Sequence, residues 1–384
     1  MKNVLFVCYG LGIGGIEKCL VNFINTLPEN IFSIDLLLMN PEYDMLTQIK
    51  RDINLLDSFR YVMNTTDTSN EIKKRGGYKK HIIKTAKYAL FRLCNKFNCS
   101  PWKLFEKTNK EYDVAIAYSH HDFSPKYVID KVKAKKKAVW YHNGKYEEDK
   151  KHYKTDKKYF NRFDNVVAVS NDCADSLRKA FPEFGEKLIV LRNFCDTEDI
   201  IKKSTEFYPK TYNDKITDIV TVGRLTPEKG ADLALEVCKL LKDKGMNFCW
   251  HWVGDGNQRE KISQLITKNS LEDCFVLEGN QPNPYPFIKY ADVYVQPSYY
   301  EAYSTTITEA KVLCKPIVTT DVGGMRDQLI DRINGLIVPI NASLLYKAIL
   351  EIISTDLSLS FEAELGVGKF TNSLDDYNEL IFGD

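Results

Sequence analysis

The feature that most constrains this chain is a rhythm: short β-rich runs alternate with helical patterns almost from end to end. Such alternation builds α/β layers around parallel sheets. In the first half the runs are Val4–Cys8, Ile34–Met39, Val114–Tyr118, Ala138–His142, Val166–Val169 and Leu188–Leu191. The rhythm lapses into a polar stretch with Pro209 over 197–215, read here as a hinge. It resumes at Ile219–Val222 and continues through Phe248–Val253, Phe275–Leu277, Val293–Gln296, Ile317–Thr319 and Leu336–Val338. Two doubly wound, Rossmann-like domains facing a central cleft follow: residues 1–196 and residues 216–365. A last helical segment, 366–384, stands apart and is expected to return to the first domain. At 384 residues the chain is long enough for two cores.

Net charge is only +1, yet its distribution is uneven. Through Asp196 there are 34 Lys and Arg against 24 Asp and Glu, an excess of 10; beyond it 19 face 28, a deficit of 9. A basic first domain points to an anionic partner, either a membrane surface, nucleic acid or an acidic glycan. No nucleic-acid reading motif accompanies the charge, so nucleic acid is set aside. The 10 cysteines are scattered, with no CxxC pair or Cys/His cluster, and read as small buried hydrophobes. The first residues lack a signal-peptide pattern and no apolar run reaches spanning length, so a cytoplasmic location is expected.

Three turns can hold an anion. The first follows the opening strand: Tyr9-Gly10-Leu11-Gly12-Ile13-Gly14-Gly15-Ile16-Glu17-Lys18, then an amphipathic helix. Glycines there let backbone N–H groups approach a ligand at a helix N-terminus. The pattern contains G-x-G-x-x-G, but Asp35 precedes Leu36–Leu38 instead of ending the second strand, which argues against a dinucleotide. The second turn is Val222-Gly223-Arg224-Leu225-Thr226-Pro227-Glu228-Lys229-Gly230. Pro227 and Lys229 sit where a helix is expected to start, flanked by cations suited to a diphosphate. The third runs from Pro297-Ser298 through Glu301 to Ser304-Thr305-Thr306 and Glu309. Its two glutamates are eight apart, one in a loop and one in a helix, so they address different parts of a ligand. Ser and Thr there serve equally well as plain helix caps.

In this order the segments resemble the family-4 retaining glycosyltransferases of the GT-B fold, including bacterial enzymes of capsule, lipopolysaccharide and other surface glycans. The resemblance rests on Gly14-Gly15-x-Glu17, Trp140-Tyr141-His142-Asn143-Gly144, Val169-Ser170 and Arg192-Asn193-x-x-Asp196. It continues through Val222-Gly223-Arg224-Leu225, Val253-Gly254-Asp255-Gly256, Pro297-Ser298-x-x-Glu301-x7-Glu309-Ala310, Pro316-Ile317-Val318 and Gly323-Gly324. The chain departs from it at Ala302-Tyr303-Ser304, where Gly-Phe-Gly is frequent, and at Phe194, where a glycine is common. Residues 64–110 have no counterpart.

The resemblance implies roles. Glu301 would hold the transferred sugar and Glu309 the nucleotide ribose. Arg224 and Lys229 would neutralise the leaving diphosphate, and His142 would lie beside sugar and acceptor. Gly14, Gly15, Gly223, Gly254, Ser304, Thr305 and Thr306 complete the donor site; His120, His121, Asn143 and Asn193 face the acceptor or the cleft. The implied donor is a nucleotide-sugar, UDP first and GDP second, used as substrate with no cofactor and no metal. The implied acceptor is a glycan or a lipid-linked sugar. Two other readings remain: a non-catalytic GT-B scaffold that binds glycan or a partner, and a sugar-nucleotide epimerase. His251, inside a strand, is read as structural.

Tyr78–Asn98 has its own pattern. Ile82, Ile83, Ala86, Leu90, Leu93, Cys94 and Phe97 share a helical face, with Lys80, Lys84, Lys87, Arg92 and Lys96 outside it. Either the face packs on its own domain, or it rests on an anionic membrane and brings the site to a lipid-linked acceptor at the inner face of the cell membrane.

Overall fold

The computed structural model describes residues 1–12, 14–40, 42–56, 90, 93–94, 101–146, 150–354, 377 and 381–383. Most of Tyr78–Asn98, and most of 366–384, lies outside them. Each strand expected from the sequence forms; three keep their expected limits, most others shift by one to three residues, and the strand expected from Ala138 already begins at Lys133. The first sheet contains β1 (Lys2–Cys8), β2 (Phe32–Leu38), β3 (Asn54–Leu55), β4 (Glu111–Ala117), β5 (Lys133–Tyr141), β6 (Asn165–Ala168) and β7 (Leu188–Val190). The second contains β8 (Thr217–Val222), β9 (Phe248–Val253), β10 (Phe275–Gly279), β11 (Val293–Gln296), β12 (Ile317–Thr320) and β13 (Leu336–Val338). β3, two exposed residues, carries no alternation and is not foreseen by the sequence pattern.

The strand orders are β3-β2-β1-β4-β5-β6-β7 and β10-β9-β8-β11-β12-β13, and every pairing is parallel. Parallel sheets carry helices on both faces, so their strands read as nearly continuous apolar runs. In β1, Leu5 and Val7 enter one core while Val4, Phe6 and Cys8 enter the core on the opposite face. The second sheet divides likewise: Ile219, Val293 and Val295 lie on one face, Val220 and Tyr294 on the other. Both orders reverse beside their first strand, between β1 and β4 and between β8 and β11. At such switch points the carboxyl ends of the strands open a crevice for ligands.

The helices that matter for the site are α1 (Gly15–Thr26), α2 (Ser124–Lys131), α3 (Lys150–Phe160), α4 (Asn171–Ala180), α5 (Thr197–Lys203), α6 (Ala231–Asp243), α7 (Arg259–Lys268), α8 (Tyr285–Tyr290), α9 (Thr305–Val312), α10 (Met325–Gln328) and α11 (Ala342–Ser354). The polar stretch expected to be a hinge opens with α5, because Asp196 caps it by accepting the Asp199 N–H at 3.0 Å. A second difference lies after β8. Pro227–Lys229 make a single 3₁₀ turn and the α-helix begins only at Ala231, since Gly230 adopts φ +72°. A side chain at Gly230 would also collide with the Pro297 carbonyl.

Near the C-terminus, Tyr377, Ile381 and Phe382 are buried against the first domain. The Tyr377 ring centroid lies 4.7 Å from that of Phe23, and that of Phe382 lies 4.7 Å from that of Phe32. The Tyr377 hydroxyl donates to the Arg192 carbonyl. No described helix is long and apolar enough to cross a membrane.

Candidate functional site

The two switch points face each other. Gly15, the first residue of α1, lies so near the start of α9 that a Cβ built there would stand 3.5 Å from Thr305 Oγ1. Two helix N-termini therefore converge from opposite domains. Each leaves N–H groups without intrahelical acceptors and carries partial positive charge, so the gap favours an anion. Ser304 caps α9, accepting the Ile307 N–H at 3.4 Å, while its hydroxyl and that of Thr306 lie 3.0 Å apart. Ser304, Thr305 and Thr306 thus stand together at the start of α9, and Thr305 faces Gly15.

Glu301 is buried and held on one oxygen. Its Oε1 accepts from Lys229 Nζ at 2.6 Å, Ser298 Oγ at 2.8 Å and Gln296 Nε2 at 2.9 Å. Gln296 in turn accepts from the Tyr294 hydroxyl at 2.6 Å and from Thr306 Oγ1 at 3.1 Å. A buried amide with both ends satisfied fixes its neighbours, here the loop acid and the helix start. Glu309 is 2% exposed, and its Oε1 pairs with Lys18 Nζ of α1 at 2.5 Å. Its Oε2 is buried and has no hydrogen-bond partner among the described residues. An unpaired buried carboxylate oxygen is costly, and a ligand hydroxyl would satisfy it. Lys18 also lies over the Tyr285 ring, 4.5 Å from its centroid. Burial works to lower the Lys18 pKa, but the charges of Glu309 and Tyr285 and the hydrogen bonds to them together outweigh it, and the ammonium is held well above its usual range.

Arg224 extends from the same end of the second sheet, mostly exposed, with its guanidinium 3.6 Å from Glu228. Gly223 and Gly254 pack backbone against backbone, with Trp252 Nε1 donating to the Gly223 carbonyl at 3.0 Å. That packing leaves no room for a side chain at Gly254, so its local work is to join the ends of β8 and β9. Gly14 precedes α1 as its N-cap residue, with Glu17 folded back over it.

On the first domain, His142 directly follows β5, which closes at Tyr141, one residue short of the expected strand end, and it is 7% exposed. Its Nε2 lies 2.9 Å from the Tyr118 carbonyl, which fixes the proton on that nitrogen, and its buried Nδ1 has no partner among the described residues. Burial lowers its pKa to about 4, so the ring is neutral at neutral pH. His120 Nδ1 accepts the His142 N–H at 3.4 Å, and its ring lies 4.0 Å from that of Tyr141. Burial, with His121 and His142 nearby, pushes the His120 pKa well down. His121 and Asn143 are exposed. Asn193 shares a crevice with Lys18, Thr305 and Glu309, and its buried Oδ1 has no partner among the described residues. Next to His142, Gly144 lies against the Glu301–Ala302 backbone and the Lys145 N–H donates to the Tyr300 hydroxyl at 3.0 Å.

The sequence reading thus named residues that meet across the cleft, but it passed over Lys18 and Gln296. Lys18 sits within the first glycine motif, and Gln296 is the polar close of an apolar strand, Val293–Gln296; each carried a signal. His251 is enclosed by the second domain, its nitrogens 2.9 Å from Asp218 and 2.8 Å from Glu278.

Residues 203–363 match the model of the glycosyl transferases group 1 family. An uncharacterized glycosyltransferase of Methanocaldococcus jannaschii is 25% identical over 259 residues, 61% of this chain and 64% of that protein. The amylovoran biosynthesis glycosyltransferase AmsK of Erwinia amylovora is 27% identical over 160 residues, 38% of this chain and 39% of its own. The chain therefore spans less than two thirds of the length of these curated relatives. Its fold is similar over 100% of both chains to TarM of S. aureus, crystallised with Fondaparinux, alpha-GlcNAc-glycerol and UDP, with a TM-score of 0.72 at 15% identity. The chain has the two-domain GT-B fold, and its second domain carries the match to the glycosyl transferases group 1 model.

Proposed function

We propose that this chain is a retaining, metal-independent glycosyltransferase of the family-4 type, acting in surface polysaccharide synthesis. It moves a hexose-type sugar from a nucleotide diphosphate donor, UDP-sugar before GDP-sugar, onto a glycan or lipid-linked acceptor. The observation that carries this reading is the meeting of α1 and α9 N-termini between two lysine–glutamate pairs, Lys229–Glu301 and Lys18–Glu309. The naming of AmsK as an amylovoran biosynthesis enzyme supports the substrate class, and UDP in the TarM crystal supports the base.

The chemistry assigns each group a task. The diphosphate lies in the gap between the helix ends, with Arg224 and Lys229 beside it. Glu309 Oε2 accepts from the ribose, and Glu301 orients the transferred sugar. As the bond from the anomeric carbon to the β-phosphate oxygen breaks, negative charge grows on that phosphate. Fixed cations and helix dipoles stabilise this charge more than they stabilise the ground state. The acceptor hydroxyl attacks the anomeric carbon from the same face, and its proton passes to the departing phosphate. Configuration is retained without a second carboxylate acting as nucleophile. The two domains are residues 1–196 and 216–365, joined through the hinge 197–215, with 366–384 returning to the first; the contacts of Tyr377 and Phe382 support that return. The place of work is the cytoplasm, peripheral to the inner face of the cell membrane.

The test is slow hydrolysis of a panel of sugar nucleotides, with and without EDTA, and the anomeric configuration of the released or transferred sugar by NMR. EDTA-resistant turnover of a UDP- or GDP-sugar with retention is expected. No turnover with any donor, dependence on a divalent cation, or inversion would each overturn the corresponding part of the reading, and epimerised donor would replace it.

A further inference from the structure

The one-turn helix α10 reaches two places at once. Gln328, 4% exposed, commits its whole amide to the start of α9. Its Oε1 accepts the Ser304 N–H at 2.8 Å, and its Nε2 donates to the Ser304 carbonyl at 2.7 Å and to Thr308 Oγ1 at 3.1 Å. One side chain thereby clamps both backbone groups of the residue that caps α9. Lys311 Nζ donates to the Gln328 carbonyl at 2.6 Å, which ties the two helices at a second point.

Asp327 faces the other domain. Its Oδ2 accepts the Asn171 N–H at 2.6 Å and its Oδ1 accepts from Asn171 Nδ2 at 3.0 Å. Asn171 is the first residue of α4, so a carboxylate meets a helix N-terminus, the favourable sense of the dipole. Just upstream, Gly324 allows close approach. A Cβ there would stand 3.3 Å from Ser170 Cβ and would collide with the Ala302 carbonyl.

We infer that Asp327 and Gln328 form a positioning lever: contact of Asp327 with α4 sets α10, and Gln328 carries that setting to Ser304. The N-terminal N–H groups of α9 are then correctly aimed at the diphosphate only when the domains are together. Neither residue touches the reacting atoms; both act through Ser304. The inference rests on the donor-site reading of the preceding subsection for its consequence, although the mechanical link itself does not. Were Gln328 only a satisfied buried amide, loss of the Asp327 carboxylate, which contacts Asn171 and not Ser304, would leave Ser304 undisturbed.

The experiment uses the full chain, Gln328→Met as a volume-matched replacement, and Asp327→Ala, whose half-exposed site tolerates truncation. Amide hydrogen exchange at 171 and 304–308 is measured without ligand, and UDP affinity by calorimetry. Gln328→Met is expected to speed exchange at Ser304 and to weaken UDP about tenfold, the size of one or two lost hydrogen bonds. Asp327→Ala should speed exchange at both Asn171 and Ser304 and weaken UDP roughly threefold or more. The double variant should be no weaker than Gln328→Met alone, because both act along one path. If Asp327→Ala alters Asn171 yet leaves Ser304 and UDP affinity unchanged, or if the two effects multiply, the lever is overturned. Should Gln328→Met fail to fold, Asp327→Ala decides alone. If the unaltered chain binds no nucleoside diphosphate, the donor reading falls, while exchange at Ser304 still decides the link.

Discussion

Lys18 Nζ on α1 and Glu309 Oε1 on α9 lie 2.5 Å apart, and this ion pair joins the two domains at the floor of the cleft. Removing one member of such a pair strands a buried charge, which costs about 3 kcal/mol or more. Lys18→Met should therefore lower stability in urea or heat by about that amount. Lys18→Met combined with Glu309→Gln should recover most of it, because the stranded charge is gone. Nucleotide affinity should stay low in the double variant, since Glu309 no longer offers a carboxylate. Equal stability of Lys18→Met and the unaltered chain would show the pair to be dispensable.

Arg224 and Lys229 flank the proposed diphosphate from one side. Each replaced by Ala should reduce turnover roughly a hundredfold, about 3 kcal/mol of lost transition-state stabilisation, with the fold intact by circular dichroism. Near-normal rates in both single variants would remove them from the leaving-group site. Glu301→Ala should cut transfer even at saturating donor, whereas Glu309→Gln should act mainly on donor affinity.

His142 has a pKa lowered to about 4 by burial, against an ordinary value near 6.5. Nitrogen-15 NMR of the imidazole should show a neutral ring protonated on Nε2 from neutral pH down to about pH 5. The stability that accompanies the neutral ring is present above about 6.5 and is lost as pH falls through the folded value. A ring titrating at an ordinary histidine value would contradict the burial that the structure gives it.

His251 moves the opposite way. Burial would discharge it, but hydrogen bonds to Asp218, Cys249 and Glu278 outweigh that and raise its pKa to about 10. Folded protein therefore keeps a proton that unfolded protein releases above about 6.5. The stability from this cluster is full below that pH and declines as pH rises toward 10, by up to about 1.4 kcal/mol per unit. Urea denaturation at several pH values should show the decline in the unaltered chain and a shallower slope in His251→Gln. Parallel slopes would sink the assignment.

The basic first domain is expected to bind anionic membranes through Tyr78–Asn98, most of which lies outside the described residues. Each basic group near such a surface contributes about 1 kcal/mol, screened over about 10 Å at ordinary salt. Co-sedimentation with phosphatidylserine vesicles should succeed at low salt and fail at high salt. Changing Lys80, Lys84 and Lys87 to Glu should abolish it while leaving transfer to a soluble acceptor unchanged. No binding of the unaltered chain at low salt would make the helix ordinary packing.

The site was partly legible beforehand, and unevenly so. The Gly14-Gly15 turn and the start of α9 stand out because a strand, a break and a helical period follow one another within a few residues. Glu301 and Glu309 were noticed through their spacing, and their roles only through resemblance. Gln328 gave no signal at all: a lone polar residue in a short amphipathic stretch reads as surface until its partner, Ser304, is known. The helix start expected at Pro227 was misplaced because Gly230, with its left-handed backbone, divides a 3₁₀ turn from α6.

The sequence by itself determined the two parallel sheets, every strand but the short β3, and the glycine turns at their carboxyl ends, because those depend on periodicity and backbone sterics among near neighbours. Only the tertiary structure decided which charges meet. Lys18 and Glu309 are separated by 291 positions, and Lys229 and Glu301 by 72. Whether such groups pair is set by how the sheets fold and dock, since Coulomb and hydrogen-bond energies depend on distance and burial, to which local pattern is blind.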